Sequence, residues 1–323
     1  MNRKVRWGIL STAKIGREKV IPALQKAKNC EVIAIASRNL DQAQKTAELL
    51  NIPKAYASYE ALLADSDIEA IYNPLPNHLH VKYTIKALEA DKHVLCEKPI
   101  ALSADEAQNL INAAAEHPTL KVMEAFMYKF HPQWHQVKEL VKEGSIGKIK
   151  HLQTFFSYNN TDMNNIRNIA EVGGGALMDI GCYCISFSRF ILGKEPIAVK
   201  GEQTIDPISK TDILSSGILT FDEQITASFT CSTKLFPYQK TFIFGDKGRI
   251  EIDYPCNAPL DEDTKVSVFT EKGEQTLLFK ANQYTLQGEA FADAILNKNL
   301  VPFSLEDAFL NMKVIDEIAN KTL

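Results

Sequence analysis

The sequence predicts an α/β fold class with two domains: a doubly wound parallel sheet, then an α+β domain with a large, mostly antiparallel open sheet. In the first third of the 323-residue chain, short β-branched runs alternate with helix-spaced segments, which is typical of parallel strands joined by helices. Beyond residue 123, long runs of alternating polarity have few helices between them, which indicates antiparallel strands with one solvated face. The length also favours two domains, and we expect them to span 1–122 and 123–323.

The strands of the first domain are predicted from short apolar runs that end in turn residues. These runs are VRWGIL (5–10), EVIAIAS (31–37), IEAIYN (68–73), KHVLCEK (92–98) and TLKVMEAF (119–126). The segments between them with the apolar spacing of helices are 14–27, 40–50, 80–89 and 104–116. Ligands of doubly wound sheets bind beyond the carboxyl ends of the strands, so functional side chains are expected in the loops that follow them.

The second domain is predicted to begin with a helix at 132–143 and to continue as strands. The alternating runs start at KIKHLQTFFSY and include GILTFDEQITASFTCST, KTFIFGDKGRIEI and KVSVFTEKGEQTLLF. FDEQ and GDKG have the composition of hairpin turns. From Gln283 onward helical spacing returns, and this segment is expected to pack on the antiparallel sheet or back on the first domain.

Composition and charge argue against several classes of partner. The net charge is −4 and no basic run is present, so a nucleic-acid partner is not expected. The first apolar stretch is too short for a signal peptide, and we expect a cytoplasmic protein without a membrane partner. The cysteines lack the spacing of metal or disulfide sites, so we predict free buried thiols and no metal; they are Cys30, Cys96, Cys182, Cys184, Cys231 and Cys256.

The turn after the first strand is a candidate phosphate cradle. A strand, a small-residue turn and a helix start present backbone N–H groups and a positive dipole end, which suit a pyrophosphate. Only the last glycine of the usual G-x-G-x-x-G is present, and the six residues are Ser11, Thr12, Ala13, Lys14, Ile15 and Gly16. Taken alone, this stretch fits an ordinary strand-to-helix turn equally well.

Two further strand ends carry candidate cofactor contacts. The second strand ends in Ser37 and Arg38, where NAD-binding chains place an acid for the ribose; arginine there favours a 2′-phosphate and hence NADP, although a solvated arginine is the alternative. The loop YNPLPNHLH offers Asn73, Pro74 and His78 near the nicotinamide end, although turn chemistry and helix capping explain the same residues equally well.

The residues with reactive side chains stand in two motifs. Glu97 and Lys98 end a buried strand, and an ammonium there could stabilise an alkoxide or lower the pKa of a neighbouring acid; a surface ion pair is the alternative. After three glycines, Asp179 and Tyr183 stand four residues apart on a predicted helix face. A tyrosine hydroxyl can accept and donate the proton that hydride transfer from a carbinol requires.

Taken together, the small-residue turn, ASR, EKP and GGGALMDIGCY resemble the Gfo/Idh/MocA oxidoreductases over essentially the whole chain. VLCEKP, MEAFMYKFHP and FTCS look closest to the branch of dimeric dihydrodiol dehydrogenase and NADP-dependent D-xylose dehydrogenase. The resemblance implies a Rossmann first domain and a second domain whose open sheet forms the subunit interface of a homodimer or homotetramer. It also implies a cis peptide bond before Pro99.

The resemblance further implies roles for individual residues. Tyr183 is expected as the acid/base, Lys98 as the cation that assists it, and Asp179 and Arg167 as substrate contacts. The expected activity is an NADP-dependent dehydrogenase, with NAD possible, that moves a hydride between nicotinamide and a carbinol or carbonyl of a sugar or cyclic diol. The alternatives are an NADP-binding sensor without turnover, and a lyase or hydrolase that uses NAD(H) transiently.

Overall fold

The computed structural model describes residues 3–320, which form two compact units. The first unit runs to Met127 and also contains residues 282–309. The second unit contains residues 128–281 and the described residues from 310 onward. The division therefore differs from the contiguous 1–122 and 123–323 that the sequence led us to expect, because one segment near the end of the chain folds with the first unit.

Within the described residues, the first unit contains a six-stranded, all-parallel sheet. Its strands are β1 (Val5–Leu10), β2 (Cys30–Ala36), β3 (Lys54–Tyr56), β4 (Ala70–Asn73), β5 (His93–Cys96) and β6 (Val122–Glu124). The spatial order β3-β2-β1-β4-β5-β6 reverses direction between β1 and β4. In doubly wound sheets the ligand crevice lies at this reversal, so the loops after β1 and β4 are placed for binding.

The helices of the first unit include the predicted ones and one short helix that was not predicted. Up to residue 127 they are α1 (Ile21–Lys26), α2 (Leu40–Leu49), α3 (Tyr59–Leu63), α4 (His80–Glu89) and α5 (Ala104–Ala115). A π-helical turn, Gly16–Val20, leads into α1. The short elements β3 and α3 were not predicted, because three to five residues are too few to show a period.

In the second unit, the described residues form one eight-stranded sheet in which only β7 and β10 pair in parallel. Its order is β14-β13-β12-β11-β7-β10-β9-β8. The strands are β7 (Ile149–Asn159), β8 (Ala198–Ile205), β9 (Asp212–Thr220), β10 (Thr226–Ser232), β11 (Lys234–Gly245), β12 (Gly248–Ile252), β13 (Thr264–Thr270) and β14 (Gly273–Phe279). The predicted turns at FDEQ and GDKG do join antiparallel neighbours.

Two helices of the second unit, α6 (Pro132–Lys142) and α7 (Cys182–Leu192), cover one face of this sheet. The segment 170–192 is long and apolar enough to cross a membrane by length and composition, which the sequence analysis did not anticipate. Of its most apolar window, 78% is buried inside the protein, as in the core helix of a soluble protein. Burial of α7 against β7 and β10 therefore accounts for its apolar sequence.

The last helices explain the division into units. The helix α8 (Gln283–Leu296) packs on α1, β1 and β2, and the ring of Phe291 lies 5.6 Å from that of Trp7. Gly288 allows close contact, because a β-carbon there would lie 2.4 Å from a methyl group of Leu24. From residue 310 onward the final helix α9 (Leu305–Asn320) belongs to the second unit, where the buried guanidinium of Arg189 donates to the side-chain oxygen of Asn311.

Candidate active site

The turn after β1, the candidate phosphate cradle, is closed by a serine at the position of the first glycine of the usual motif. Ser11 adopts φ of 72°, the left-handed conformation that usually requires glycine. Its hydroxyl oxygen accepts a hydrogen bond from the Ala13 N–H at 3.2 Å, which closes the turn. Since the hydroxyl acts here as an acceptor, its proton is left to donate to a ligand.

The first turn of the following helix is fixed by a residue that the sequence analysis missed. The Arg17 side chain donates through Nε to the Thr12 carbonyl at 2.9 Å, and this hydrogen bond stabilises the turn. Gly16 is buried, and a β-carbon there would lie 3.6 Å from the Tyr72 ring and 3.9 Å from Pro74. These are ordinary contact distances, so the packing of the first unit alone does not require glycine at this position.

At the end of β2, Ser37 is structural and Arg38 is exposed. The Ser37 N–H donates to the Tyr56 carbonyl, and its hydroxyl oxygen accepts from the Asn39 N–H just before α2. Burial raises the pKa of the Tyr59 hydroxyl, and Arg38 acts in the opposite direction, which places this guanidinium beside the phenol. An exposed cation therefore stands at the position where the sequence predicts recognition of a 2′-phosphate.

In the loop after β4, the Asn73 amide makes structural hydrogen bonds, whereas one ring nitrogen of His78 has no hydrogen-bond partner among residues 3–320. The Asn73 amide is fully buried; it donates to the His80 carbonyl and Thr84, and its oxygen accepts from the Leu75 N–H. These bonds would have to break before Asn73 could bind a ribose directly. By contrast, Nδ1 of His78 is buried and finds no hydrogen-bond partner among residues 3–320. An orphaned nitrogen in this loop fits a bound ligand.

The loop that carries Lys98 is held by a buried histidine, another residue that was not predicted. Nδ1 of His80 lies 2.7 Å from the Pro99 carbonyl oxygen, and Nε2 lies 2.7 Å from that of Leu75. Burial lowers the pKa of His80 to about 4, and the nearby Lys98 charge also lowers it. The neutral ring has one N–H and donates to one of these two carbonyls, and it lies between the loop after β4 and the EKP loop. The peptide bond between Lys98 and Pro99 is cis, as predicted.

The Glu97 carboxylate is held by a hydrogen bond from a tyrosine of the strand β4. The buried Tyr72 hydroxyl donates to the Glu97 carboxylate at 2.7 Å, and burial together with this carboxylate raises the pKa of Tyr72. Glu124 accepts a bond from the Ile100 N–H at 2.8 Å and so holds the end of the EKP loop. In the first unit, Gly16 and Glu97 therefore both lie beside the side chain of Tyr72.

In the second unit, the glycine run is required by close packing of the backbone. The Gly174 N–H donates to the Ile169 carbonyl, and the Gly175 N–H donates to that of Arg167. A β-carbon on Gly174 would lie 2.7 Å from the carbonyl oxygens of Ile166, Arg167 and Ile169. The turn that carries Arg167 therefore lies directly on the start of the helix.

Arg167 and Asp179, both predicted as substrate contacts, form an ion pair with each other. Nε of Arg167 donates to Oδ2 of Asp179 at 2.8 Å, and the Tyr158 hydroxyl donates to the same oxygen at 2.5 Å. Asp179 raises the pKa of Arg167, while burial and Asp179 raise the pKa of Tyr158. Tyr158, at the end of β7, was missed because only the fold brings it to Asp179.

Tyr183 lies in an aromatic cluster at the start of α7. It is 5% exposed, and its ring lies 6.1 to 6.3 Å from those of Tyr128, Phe156 and Phe187. The segment Leu177–Gly181, which contains Asp179, is a π-helical turn rather than regular α-helix. Such turns are frequent at functional sites.

All six cysteines are buried and free, as predicted. Over residues 3–320, no group of three or more His, Cys, Asp or Glu side chains has an arrangement that could hold a metal ion.

A parallel sheet whose order reverses beside a phosphate-type turn defines a dinucleotide-binding protein. Family comparisons specify the class further. Residues 5–126 match the Gfo/Idh/MocA family, described as an oxidoreductase family with an NAD-binding Rossmann fold, and residues 134–251 match the Gfo/Idh/MocA C-terminal domain.

Individual relatives match over most of the chain. It is 37% identical over 319 residues to D-xylose 1-dehydrogenase (NADP(+)) 2 of Haloferax volcanii, a match that covers 97% of this chain and 95% of the relative. It is 34% identical over 251 residues to trans-1,2-dihydrobenzene-1,2-diol dehydrogenase of Xenopus laevis, covering 76% and 74%. A crystal structure of a 3-ketoreductase from Actinomadura kijaniata with NADP and TDP-benzene has a TM-score of 0.93 at 30% identity, covering 98% of both chains.

The chain therefore belongs to the Gfo/Idh/MocA family. It is an NAD(P)-dependent oxidoreductase with the Rossmann and antiparallel-sheet architecture predicted from the sequence. The relatives also include both dehydrogenases of the branch that the sequence resembles.

The packing at the glycine run leads to a stability prediction. Gly174→Ala should lower the free energy of unfolding by about 1–3 kcal/mol, because the new methyl group overlaps backbone carbonyls that cannot rotate away. Gly16→Ala is the matched control: its β-carbon has ordinary contact distances, so stability should be unchanged or slightly higher. Urea unfolding followed by circular dichroism measures both, and a Gly174→Ala protein as stable as wild type would contradict the steric argument.

Proposed function

We propose that the protein is an NADP-dependent dehydrogenase that moves a hydride between nicotinamide and a CH–OH or carbonyl carbon of a neutral sugar or cyclic diol. The observation that carries the proposal is the Asp179 carboxylate, which is held by Arg167 and Tyr158 one turn before Tyr183. The first unit would bind the nucleotide, and the second would bind the substrate and form the oligomer. The names of the D-xylose and dihydrodiol dehydrogenases among the relatives support the substrate class.

The cofactor-binding residues are assigned on the features of the first unit. The cradle at 11–16 would hold the pyrophosphate, Ser37 and Arg38 the adenosine end, and the loops with Pro74, His78 and Glu97 the nicotinamide end. The left-handed Ser11 and the orphaned nitrogen of His78 fit this arrangement. Bound NADP would supply the hydride acceptor for oxidation of an alcohol.

The remaining chemistry falls to side chains of this chain. In the oxidation direction Tyr183 would act as the phenolate: it takes the substrate O–H proton and becomes the neutral phenol, while the C–H bond gives up its hydride and a carbonyl forms. Lys98 supplies positive charge that stabilises the negative charge developing on the substrate. Arg167 also interacts electrostatically with Tyr183, so the second unit supplies its own cation near this phenol.

The charge balance of the second unit supports a neutral substrate. Arg167 and Asp179 form an ion pair with no net charge, which offers hydrogen-bond donors and acceptors to hydroxyl groups. A nucleotide sugar carries a diphosphate that is usually matched by cationic side chains. A panel of D-xylose, D-glucose, myo-inositol, trans-1,2-dihydrobenzene-1,2-diol and a dTDP-hexose, each assayed with NADP, tests the proposal. Turnover of the dTDP-hexose alone would overturn the neutral-substrate assignment.

The same assay separates the alternative functions. Net formation of NADPH is the result expected for a dehydrogenase. Turnover without net NADPH would indicate transient use of the cofactor, and binding of NADP without turnover of any substrate would indicate a sensor. The free buried thiols support a reducing, cytoplasmic compartment.

Removal of either proposed reactive group should lower turnover. Lys98→Ala and Tyr183→Phe should each reduce kcat by about a hundredfold or more, the scale of positioned proton transfer, while NADP binding measured by fluorescence titration is retained. Tyr128→Phe is the matched control, because its hydroxyl bonds to Ser186 within the same aromatic cluster and has no proposed chemical role. Near-normal kcat in both active-site variants would refute the assignment.

Coenzyme preference should depend on Arg38. Arg38→Ala should raise the KM for NADP by about 10- to 100-fold through loss of charge-assisted hydrogen bonds to the 2′-phosphate. The KM for NAD, which lacks this phosphate, serves as the internal control and should change little. Equal efficiency of wild type with both coenzymes, or a preference for NAD, would remove the role given to Arg38.

The uncovered face of the eight-stranded sheet supports a homo-oligomer. Phe156 points toward α7, so its neighbour Phe155 lies on the opposite face, where its ring is 5.9 Å from that of Tyr238. Together with Phe242 these rings line an open cavity of about 480 Å³. Ile218, 53% exposed on β9, extends the apolar character of this outer face. We infer that a second copy of the chain packs on this outer face of the sheet.

Substitution on the outer face should dissociate the oligomer. Phe155→Glu combined with Phe242→Glu should give monomers in light scattering after size-exclusion chromatography, because the charges would be buried without partners. Leu300→Glu, at a position in the first unit that is 90% exposed, is the control and should leave the oligomer intact. A wild-type protein that is monomeric at micromolar concentration would contradict the assignment.

A further inference from the structure

A buried carboxylate outside the predicted site holds the start of the helix that carries Asp179 and Tyr183. Asp212, the first residue of β9, is 7% exposed. Its Oδ2 accepts from the Leu177 N–H at 2.7 Å and from the Ser215 hydroxyl at 2.6 Å. Leu177 begins the helical stretch, two residues before Asp179 and six before Tyr183.

The same carboxylate accounts for the third glycine of the run. A β-carbon on Gly175 would lie 1.9 Å from Oδ1 of Asp212, so the carboxylate occupies the place of a side chain at that position. Gly175 also has φ of 117°, a conformation that side chains of L-residues rarely adopt. Gly175 and Asp212 therefore pack against each other without room for a side chain at position 175.

Charge and hydrogen bonding act in the same direction at this contact. The N–H groups of a first helical turn have no intrahelical partners and are stabilised by an anion. The Asp212 carboxylate satisfies one of them in a buried setting, where an unpaired N–H is most costly. Gln203 of the edge strand β8 donates to Ser215 at 3.2 Å, so the contact continues through Ser215 to the neighbouring strand.

We propose that Asp212 is a positioning residue that sets where the helix bearing Asp179 and Tyr183 begins. The inference rests on the proposed function for the roles of those two side chains. Asp212 acts through the Leu177 backbone and has no proposed contact with substrate or cofactor. Its loss should loosen the helix start and so displace both side chains relative to the antiparallel sheet of the second unit.

The test compares Asp212→Ala and Asp212→Asn with Asp206→Asn. Asp206 is the matched control, because it caps the turn between β8 and β9 through the N–H groups of Ile208 and Ser209. Asp212→Ala should accelerate amide hydrogen exchange over 175–182 by about tenfold or more, from loss of a buried charge-assisted bond. Asp212→Asn keeps an oxygen acceptor and should restore much of the protection, while Asp206→Asn should match wild type.

Measurement of kcat per folded molecule distinguishes a positioning role from a role in stability alone. With the panel substrate that wild type turns over fastest, kcat per folded molecule of Asp212→Ala should fall about tenfold or more, while the Kd for NADP stays unchanged. Wild-type exchange over 175–182, or accelerated exchange with a wild-type kcat, would overturn the proposal. If Asp212→Ala does not fold, Ser215→Ala removes only one bond to the carboxylate, and it should accelerate the same exchange by about threefold.

The two proposals fail in different ways. Full turnover by Tyr183→Phe would refute the chemical role of that residue, whereas the exchange measurement on Asp212→Ala would still report the helix start. Unchanged exchange in Asp212→Ala would refute the positioning role, whatever the kcat of Tyr183→Phe.

Discussion

The second unit depends on how closely backbone can approach backbone at the glycine run. Carbonyl oxygens of the preceding turn lie where a side chain of Gly174 would be, and the Asp212 carboxylate lies where one of Gly175 would be. This packing brings Arg167 to Asp179 and fixes the first helical N–H groups at the same time. Close-packed interiors transmit small displacements, so we expect a change at the glycine run to affect both the ion pair and the helix start.

The turn after β1 in the first unit also depends on an unusual backbone conformation. There Ser11 takes the left-handed conformation itself, and its hydroxyl closes the turn that glycine would otherwise form. Both junctions lead into a π-helical turn before regular α-helix begins. A π turn redirects the side chains that follow it, which suits segments that must present functional groups rather than only pack.

Electrostatics separate the two sets of functional residues. In the second unit, Arg167 and Asp179 neutralise each other, and Tyr158 shares the same carboxylate oxygen. In the first unit, Arg38 is exposed at the end of β2, and the charge of Lys98 reaches the buried His80. A neutral site with directional hydrogen bonds suits hydroxyl groups, whereas cations suit phosphates and developing alkoxides.

The sequence by itself determined the class of both sheets, because the alternation of apolar residues repeats locally along each strand and helix. It also indicated Lys98, Asp179 and Tyr183 as candidates, because their motifs are contiguous in the chain. Only the tertiary structure decided that Arg167 pairs with Asp179, that Tyr158 and Asp212 support the helix, and that α8 folds with the first unit. The Arg167–Asp179 pair is 12 positions apart in the chain, and the Leu177–Asp212 contact is 35 positions apart. The local spacing of apolar residues does not show which distant backbone packs against a glycine. It also does not show which carboxylate binds the N–H groups at the start of a helix.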